Sequence, residues 1–492
     1  MPRLWKTRLE ALDERPVQLF RSLRYGRGLC LLTGALAWQS LHPAAKAQGL
    51  SPSDVGEWSS YVLWPTNATH SVLLPTGNLL FWQALGSYRW NPITDAVTAT
   101  PPAGHNIFCG GHSLTGDGRV LVTGGHLSPF RGLRKASYYD PFSNTWTALP
   151  DMNAGRWYPT NTILPDGNVL VTSGYTTGAE LNRLPQVWQV ASASWRNLTT
   201  AVRPVPAYPQ MFVASDGRVF MAGPSRMTRY LDTAGTGAWS SLRNSNFGDR
   251  SFGTAVMYDE DKVLIAGGGA PPAWPTATVE VIDLKAERPA WRYVAPMVEA
   301  RRYAHATLLA DGTILVSGGL SGNADDTCDF PVYLAELWNP QTKVWSSMAS
   351  ATICRGEHQT ATLLPDGRVV SAGGDNAIPS GDNREIYSPP YLFKGARPTI
   401  TSAPTAVGYG QTFFVETPEA PAITNVNMLA LGAPTHGFNM GQRINRLTFS
   451  QAEGGLNVTT PSTAALCPPG YYMLFILTGD GVPSVASVIR IN

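Results

Sequence analysis

Along most of the chain, short runs of apolar residues alternate with small or polar ones, and each run follows a tight-turn signal. The clearest copies are His112 to Gly125, Thr162 to Gly174, Thr307 to Gly319 and Thr362 to Gly374. Each holds an Asp-Gly pair, then a strand such as Val-Leu-Val, then a closing glycine. Asp-Gly supplies the positive φ of a hairpin, and the alternation after it has the period of a strand. Weaker copies surround Asp216-Gly217, Asp259 to Gly269 and Thr76-Gly77, which makes about seven at a spacing of about 50 residues. Most copies also carry a later aromatic strand, as in Tyr138 to Trp146 and Leu337 to Trp345. Four short strands per unit, arranged radially, predict an all-β fold with a seven-bladed kelch-type β-propeller over 48–395. The pattern stops after Tyr387 to Phe393. From 396 to 492, alternating strands ending in Gly470 to Leu477 and Val485 to Ile491 predict a C-terminal immunoglobulin-like β-sandwich.

Composition agrees with that picture. In 492 residues there are 48 Gly and 39 Pro, and only 15% of the chain is charged, which suits a turn-rich β protein. A net charge of +2 gives no basis for a nucleic-acid partner, and no apolar run is long enough for a spanning helix. A monomer is expected. At the N-terminus, Arg21, Arg24 and Arg27 precede an apolar run from Leu29 to Trp38, and Ala45-Lys46-Ala47 supplies small residues where a signal peptidase reads. Residues 1–47 are therefore expected to be a signal peptide, and the mature protein to be secreted or periplasmic.

Export makes the cysteines informative. Beyond the leader remain Cys109, Cys328, Cys354 and Cys467. Cys328 and Cys354 flank one repeat and could pair as a disulfide. Cys109 lacks an obvious partner. Counting back from the turn glycines places it: Cys109, Tyr158 and His358 lie nine residues before Gly118, Gly167 and Gly367. Tyr208 and Tyr303 hold the same offset from Gly217 and Gly312, where aromatic packing is the simpler reading. Equivalent repeat positions ring the axis of a propeller, so these residues can face one another. His105, Cys109 and His112 have a spacing that superficially suits zinc, but strand alternation would put His112 on the other face.

Several of these segments carry a family likeness. Asn106 to His112, Gly155 to Thr160 with its Arg-Trp-Tyr-Pro, Arg355-Gly-Glu-His358, Thr435 to Arg443 and Gly481 to Ser487 together resemble the copper radical oxidases. This is the family of galactose oxidase and glyoxal oxidase, and the Arg-Trp-Tyr-Pro form is closer to the glyoxal oxidase branch. The resemblance implies one copper ion held by Tyr158, Glu357, His358 and His436, and a thioether joining Cys109 to Tyr158 as a protein-derived radical cofactor. It implies oxidation of an aldehyde hydrate or primary alcohol, with carbohydrate among the candidate substrates, by O2 with release of H2O2. Trp157 would pack beside Tyr158, with Tyr303 and His305 supporting the site. The family pattern has a tyrosine where this chain has Glu357. A carboxylate can bind copper and accept a proton, yet its unperturbed pKa is about 4.3 against about 10 for a phenol. The rival reading is a non-catalytic kelch scaffold for adhesion or polysaccharide binding, with an altered metal pocket.

Overall fold

The computed structural model describes residues 49–323, 328–375 and 380–492. The signal-peptide expectation, at 1–47, lies outside the described residues. The only α-helix among them is the single turn Pro52–Val55, and none is long and apolar enough to cross a membrane.

Seven antiparallel sheets form the blades of a propeller. Their inner strands are His70–Leu73, Gly111–Leu114, Trp157–Ile163, Gln210–Val213, Thr254–Asp259, His305–Leu308 and Gln359–Leu363. Inner strands are buried nearly throughout, whereas outer strands such as Thr145–Leu149 and Ala238–Asn244 are largely exposed. Burial thus grades radially, and the apolar alternation seen in sequence marks the middle of each blade.

Two pairings close the ring. In the seventh blade, the strand Asn383–Ser388 is flanked by Glu57–Trp58 and Val62–Leu63 from the start of the described chain. In the first, the inner strand gains a further partner from the far end: His70 pairs with Thr435, in the short hairpin Pro434–Thr435 and Phe438–Asn439. That hairpin has a two-residue loop, His436 and Gly437, with φ of 47° and 79°. Positive φ at both central residues is the mark of a type I′ turn, which explains the glycine beside the histidine.

The C-terminal strands form a two-layer sandwich sharing Ile444–Ala452. Its first half pairs with Ile423–Ala430 and its second with Gly455–Thr459. Val415, Val426, Leu456, Leu474 and Ile489 fill the space between the layers.

Candidate metal centre

The ring slot inferred from repeat spacing has a distinct backbone. Cys109, Tyr158, Tyr208, Tyr303 and His358 all have left-handed φ, between 44° and 67°. Phe252 is a sixth member, with φ 59°. Its turn lacks glycine, because Asp261 takes the left-handed position with φ 56°, so counting from glycines passes over it. Such backbone costs about 1–3 kcal/mol for a residue with a Cβ. Since Phe252 bears it too, the strain belongs to the repeat rather than to the chemistry. Hydrogen bonds stitch neighbouring slots together: Tyr158 N donates to Cys109 O, Tyr208 N to Tyr158 O, and Tyr303 N to Phe252 O, each at 2.8 Å.

Cys109, His358 and His436 bring their donor atoms within 4.8 Å of one another. The His436 Nε2 lies 3.7 Å from Cys109 Sγ. The Tyr158 hydroxyl is 3.4 Å from His358 Nε2 and donates to Glu357 Oε1 at 3.2 Å. All five residues singled out in sequence therefore meet at the axis.

Each imidazole has a partner on Nδ1 that turns its Nε2 toward the centre. Thr435 Oγ1 donates its one proton to Thr69 O at 2.9 Å, so at 2.6 Å it must accept from His436 Nδ1. Nε2 of His436 is left as a lone pair. His358 Nδ1 lies 2.6 Å from Asp375 Oδ2, which likewise turns Nε2 inward. A ligating histidine commonly gives its other N–H to such a partner. Burial, then His358 and His70, hold the His436 pKa well below its usual value. Burial also opposes a charge on His358, yet Asp375 and Glu357 outweigh it and raise its pKa well above normal. The two carboxylates thus favour positive charge at His358, whereas burial and the neighbouring imidazoles disfavour it at His436. Burial pushes the Cys109 thiol up to about 12. Two imidazoles, a phenol and a carboxylate fit copper in ligand type.

Tyr158 is covered on both faces. Trp157 stacks on it at 3.7 Å with the planes 9° apart, and Tyr208 at 4.5 Å with the planes 25° apart. Tyr208 also donates to Gly110 O at 3.1 Å, next to Cys109. Cys109 N donates to His70 Nε2 at 2.9 Å. Cys109 and His358 are 0% and 3% exposed, whereas the Glu357 and Asp375 side chains are 23% and 36% exposed. The site thus opens toward the two carboxylates.

The supporting residues are spread more widely. His305 Nε2 lies 3.1 Å from Gly437 N and 2.8 Å from Gln359 O, between the His436 loop and the seventh blade. Bare, it accepts from Gly437 N–H, and protonated, it donates to Gln359 O, so it bonds one of the two at a time. Tyr303 packs with Phe252 and with the Cys328–Cys354 disulfide, which the structure contains. His105 approaches Ser137, and His112 faces Ser71 and Trp82; neither joins the metal cluster. Cys109 sits in a turn before its strand, which starts at Gly111, so strand alternation does not govern it. Spacing arithmetic missed Asp375, Thr435 and His70. Asp375 directly follows the closing Gly373-Gly374, a place the repeat itself marks.

The comparisons with known proteins agree with this geometry. The glyoxal oxidase N-terminus family model matches residues 103–381, and the galactose oxidase-like early set domain matches 397–491. Galactose oxidase of Gibberella zeae is 30% identical over 89% of this chain and 71% of its own length. Aldehyde oxidase GLOX of Vitis pseudoreticulata is 26% identical over 78% of this chain and 82% of its own. A fungal alcohol oxidase solved in complex with copper superposes with a TM-score of 0.82 at 27% identity, covering 89% of this chain and all of that one. The fold and the convergent N, O and S donors define a propeller oxidase of the copper-dependent class. The chain belongs to the copper radical oxidase family, which contains galactose oxidase and glyoxal oxidase.

Proposed function

We propose that this protein is an exported oxidase that converts a primary alcohol to an aldehyde, or an aldehyde hydrate to an acid, while O2 becomes H2O2. The observation that carries the reading is the meeting of Cys109, Tyr158, His358 and His436 at one buried end of the axis, with Glu357 at the open edge. His358 and His436 would hold copper through Nε2, with Tyr158 and Glu357 as oxygen ligands. Bound copper supplies one-electron redox and Lewis-acid chemistry.

The rest falls to the chain. A Cys109–Tyr158 thioether forms as the S–H and the ring C–H beside the hydroxyl are lost and O2 takes up the two electrons and two protons as H2O2. Sulfur next to the phenol makes its ring easier to oxidise. The Tyr158 phenoxyl takes a hydrogen atom from the substrate's α carbon, while Glu357 accepts the hydroxyl proton. For an alcohol, RCH2OH and O2 give RCHO and H2O2, two electrons and two protons moving in all. Trp157 and Tyr208 exclude water from the ring faces, which preserves a radical between turnovers. Asp375 and Thr435 keep both imidazoles in register.

The test is intact-mass measurement after aerobic copper loading, with peroxide release screened across aldehydes, simple alcohols and terminal-galactose sugars. The thioether lowers the mass by about 2 Da and accompanies peroxide release with one of these classes. An unchanged mass, with no peroxide from any class, would instead favour a binding scaffold.

A further inference from the structure

The blades differ in electrostatics at one buried position. Three of them place an arginine just before the inner strand and pair it with a glutamate on the third: Arg250 with Glu280 at 2.9 Å, Arg301 with Glu336 at 2.5 Å, and Arg355 with Glu385 at 3.3 Å. The three glutamates share a register, opposite Ile265, Val316 and Ser371, each two residues before Gly267, Gly318 or Gly373. In the third blade that register place, opposite Val171 and two before Ser173, is Gln186. The arginine is kept. Arg156 is 0% exposed and donates to Ser173 O and Leu184 O, both at 2.7 Å, to Asn153 Oδ1 at 3.1 Å and to Gln186 Oε1 at 3.3 Å. All four acceptors are neutral.

Gln186 otherwise copies its counterparts. Its Oε1 accepts from Asn153 N at 3.1 Å, as Glu280 accepts from Asn246 N at 2.7 Å and Glu385 from Thr352 N at 2.9 Å. The Gln186 Nε2 donates to Asn197 Oδ1 at 2.8 Å, a contact that a carboxylate keeps only if the Asn197 amide turns over. With a neutral amide at this place, the blade differs from the other three in charge. A buried guanidinium without a counter-ion is costly, and a guanidinium does not shed its proton to escape the cost. The blade in question is the one that carries Tyr158. Ser173, which accepts from Arg156, lies directly opposite Pro159, the residue after Tyr158. In a poorly screened interior such a charge acts well beyond contact distance.

We propose that Arg156, left without a carboxylate by Gln186, raises the oxidation potential of Tyr158 and so makes its phenoxyl a stronger hydrogen-atom acceptor. Taking an electron from the ligated Tyr158 phenolate removes a negative charge, and a neighbouring cation opposes that change. The inference rests on Tyr158 being the radical residue. Arg156 touches no substrate and acts only through Tyr158.

The experiment takes copper-loaded, full-length wild type, Gln186→Glu and Arg156→Gln. Intact mass first establishes the thioether in wild type; its absence there defeats the radical reading itself. Each protein is then equilibrated with hexacyanoferrate(III)/(II) mixtures, so that the Tyr158 phenolate of the copper-loaded protein passes one electron to the iron(III) complex, which becomes iron(II). Phenoxyl absorbance gives the midpoint. Both variants remove the net charge by different routes, and both midpoints should shift to lower potential than wild type. If only one variant folds, that one decides. A thioether-bearing variant with an unchanged or raised midpoint overturns the role of Arg156 and leaves the radical reading intact.

Discussion

Asp375 and Thr435 offer the sharpest test of how the centre is held. Each takes the Nδ1–H of one imidazole at 2.6 Å, yet their surroundings differ. Losing such a partner costs about 10- to 100-fold in metal affinity. The Asp375 side chain is 36% exposed, so water replaces part of what Asp375→Asn removes. Its effect belongs at the lower bound, about 10-fold or about 1.4 kcal/mol. Thr435 is 0% exposed, and Thr435→Val takes the partner from both the His436 N–H and the Thr69 carbonyl at a more enclosed position. That loss belongs near about 100-fold, or about 2.7 kcal/mol. Copper titration against a competing chelator measures both, with circular dichroism to verify the fold. Wild-type affinity in both folded variants would refute the argument, and a larger loss at Asp375 than at Thr435 would refute its reasoning from exposure.

Three further outcomes are expected. Glu357→Tyr, which restores the family's phenol, should keep or raise peroxide release if Glu357 serves as ligand and base; an active wild type silenced by the change would contradict that role. Cys328→Ser removes a disulfide between residues 26 apart in sequence, for which loop-closure entropy gives about 3.5 kcal/mol, read as a lower denaturation midpoint under oxidising conditions. His305→Leu removes the one hydrogen bond that its Nε2 makes, from Gly437 N–H or to Gln359 O, at about 1–3 kcal/mol, and should weaken copper binding along with stability. Copper affinity equal to wild type in folded His305→Leu would show that the His436 loop does not depend on it.

The propeller was legible because its turns are chemically explicit: Asp-Gly and the closing glycines mark strand ends at a fixed period. The same period located Cys109, Tyr158 and His358, since one offset from a turn is one height on the axis. Phe252 escaped because Asp261 holds the left-handed turn position without being glycine. Tyr208 was visible at the slot but read as packing, and its stack on Tyr158 depends on the rotation between adjacent blades. Asp375 and Thr435 act through side-chain directions that periodicity does not encode. The pairing of His70 with Thr435 was out of reach for another reason. It rests on strands two residues long, below the length at which alternation carries a signal.

That pairing also imposes an order on the making of the protein. A ribosome delivers Cys109 and Tyr158 early, but His436 arrives after all seven inner strands have been made, and the seventh blade waits for residues 383–388 to reach strands made more than three hundred residues before. Contacts so distant in sequence form late, because loop-closure entropy must be met first. Until then the cysteine and tyrosine stand beside an incomplete ligand set. A chain broken off before residue 436 would have no His436 with which to complete the ligand set, so the hairpin that carries it is in effect a checkpoint on when this chemistry can begin.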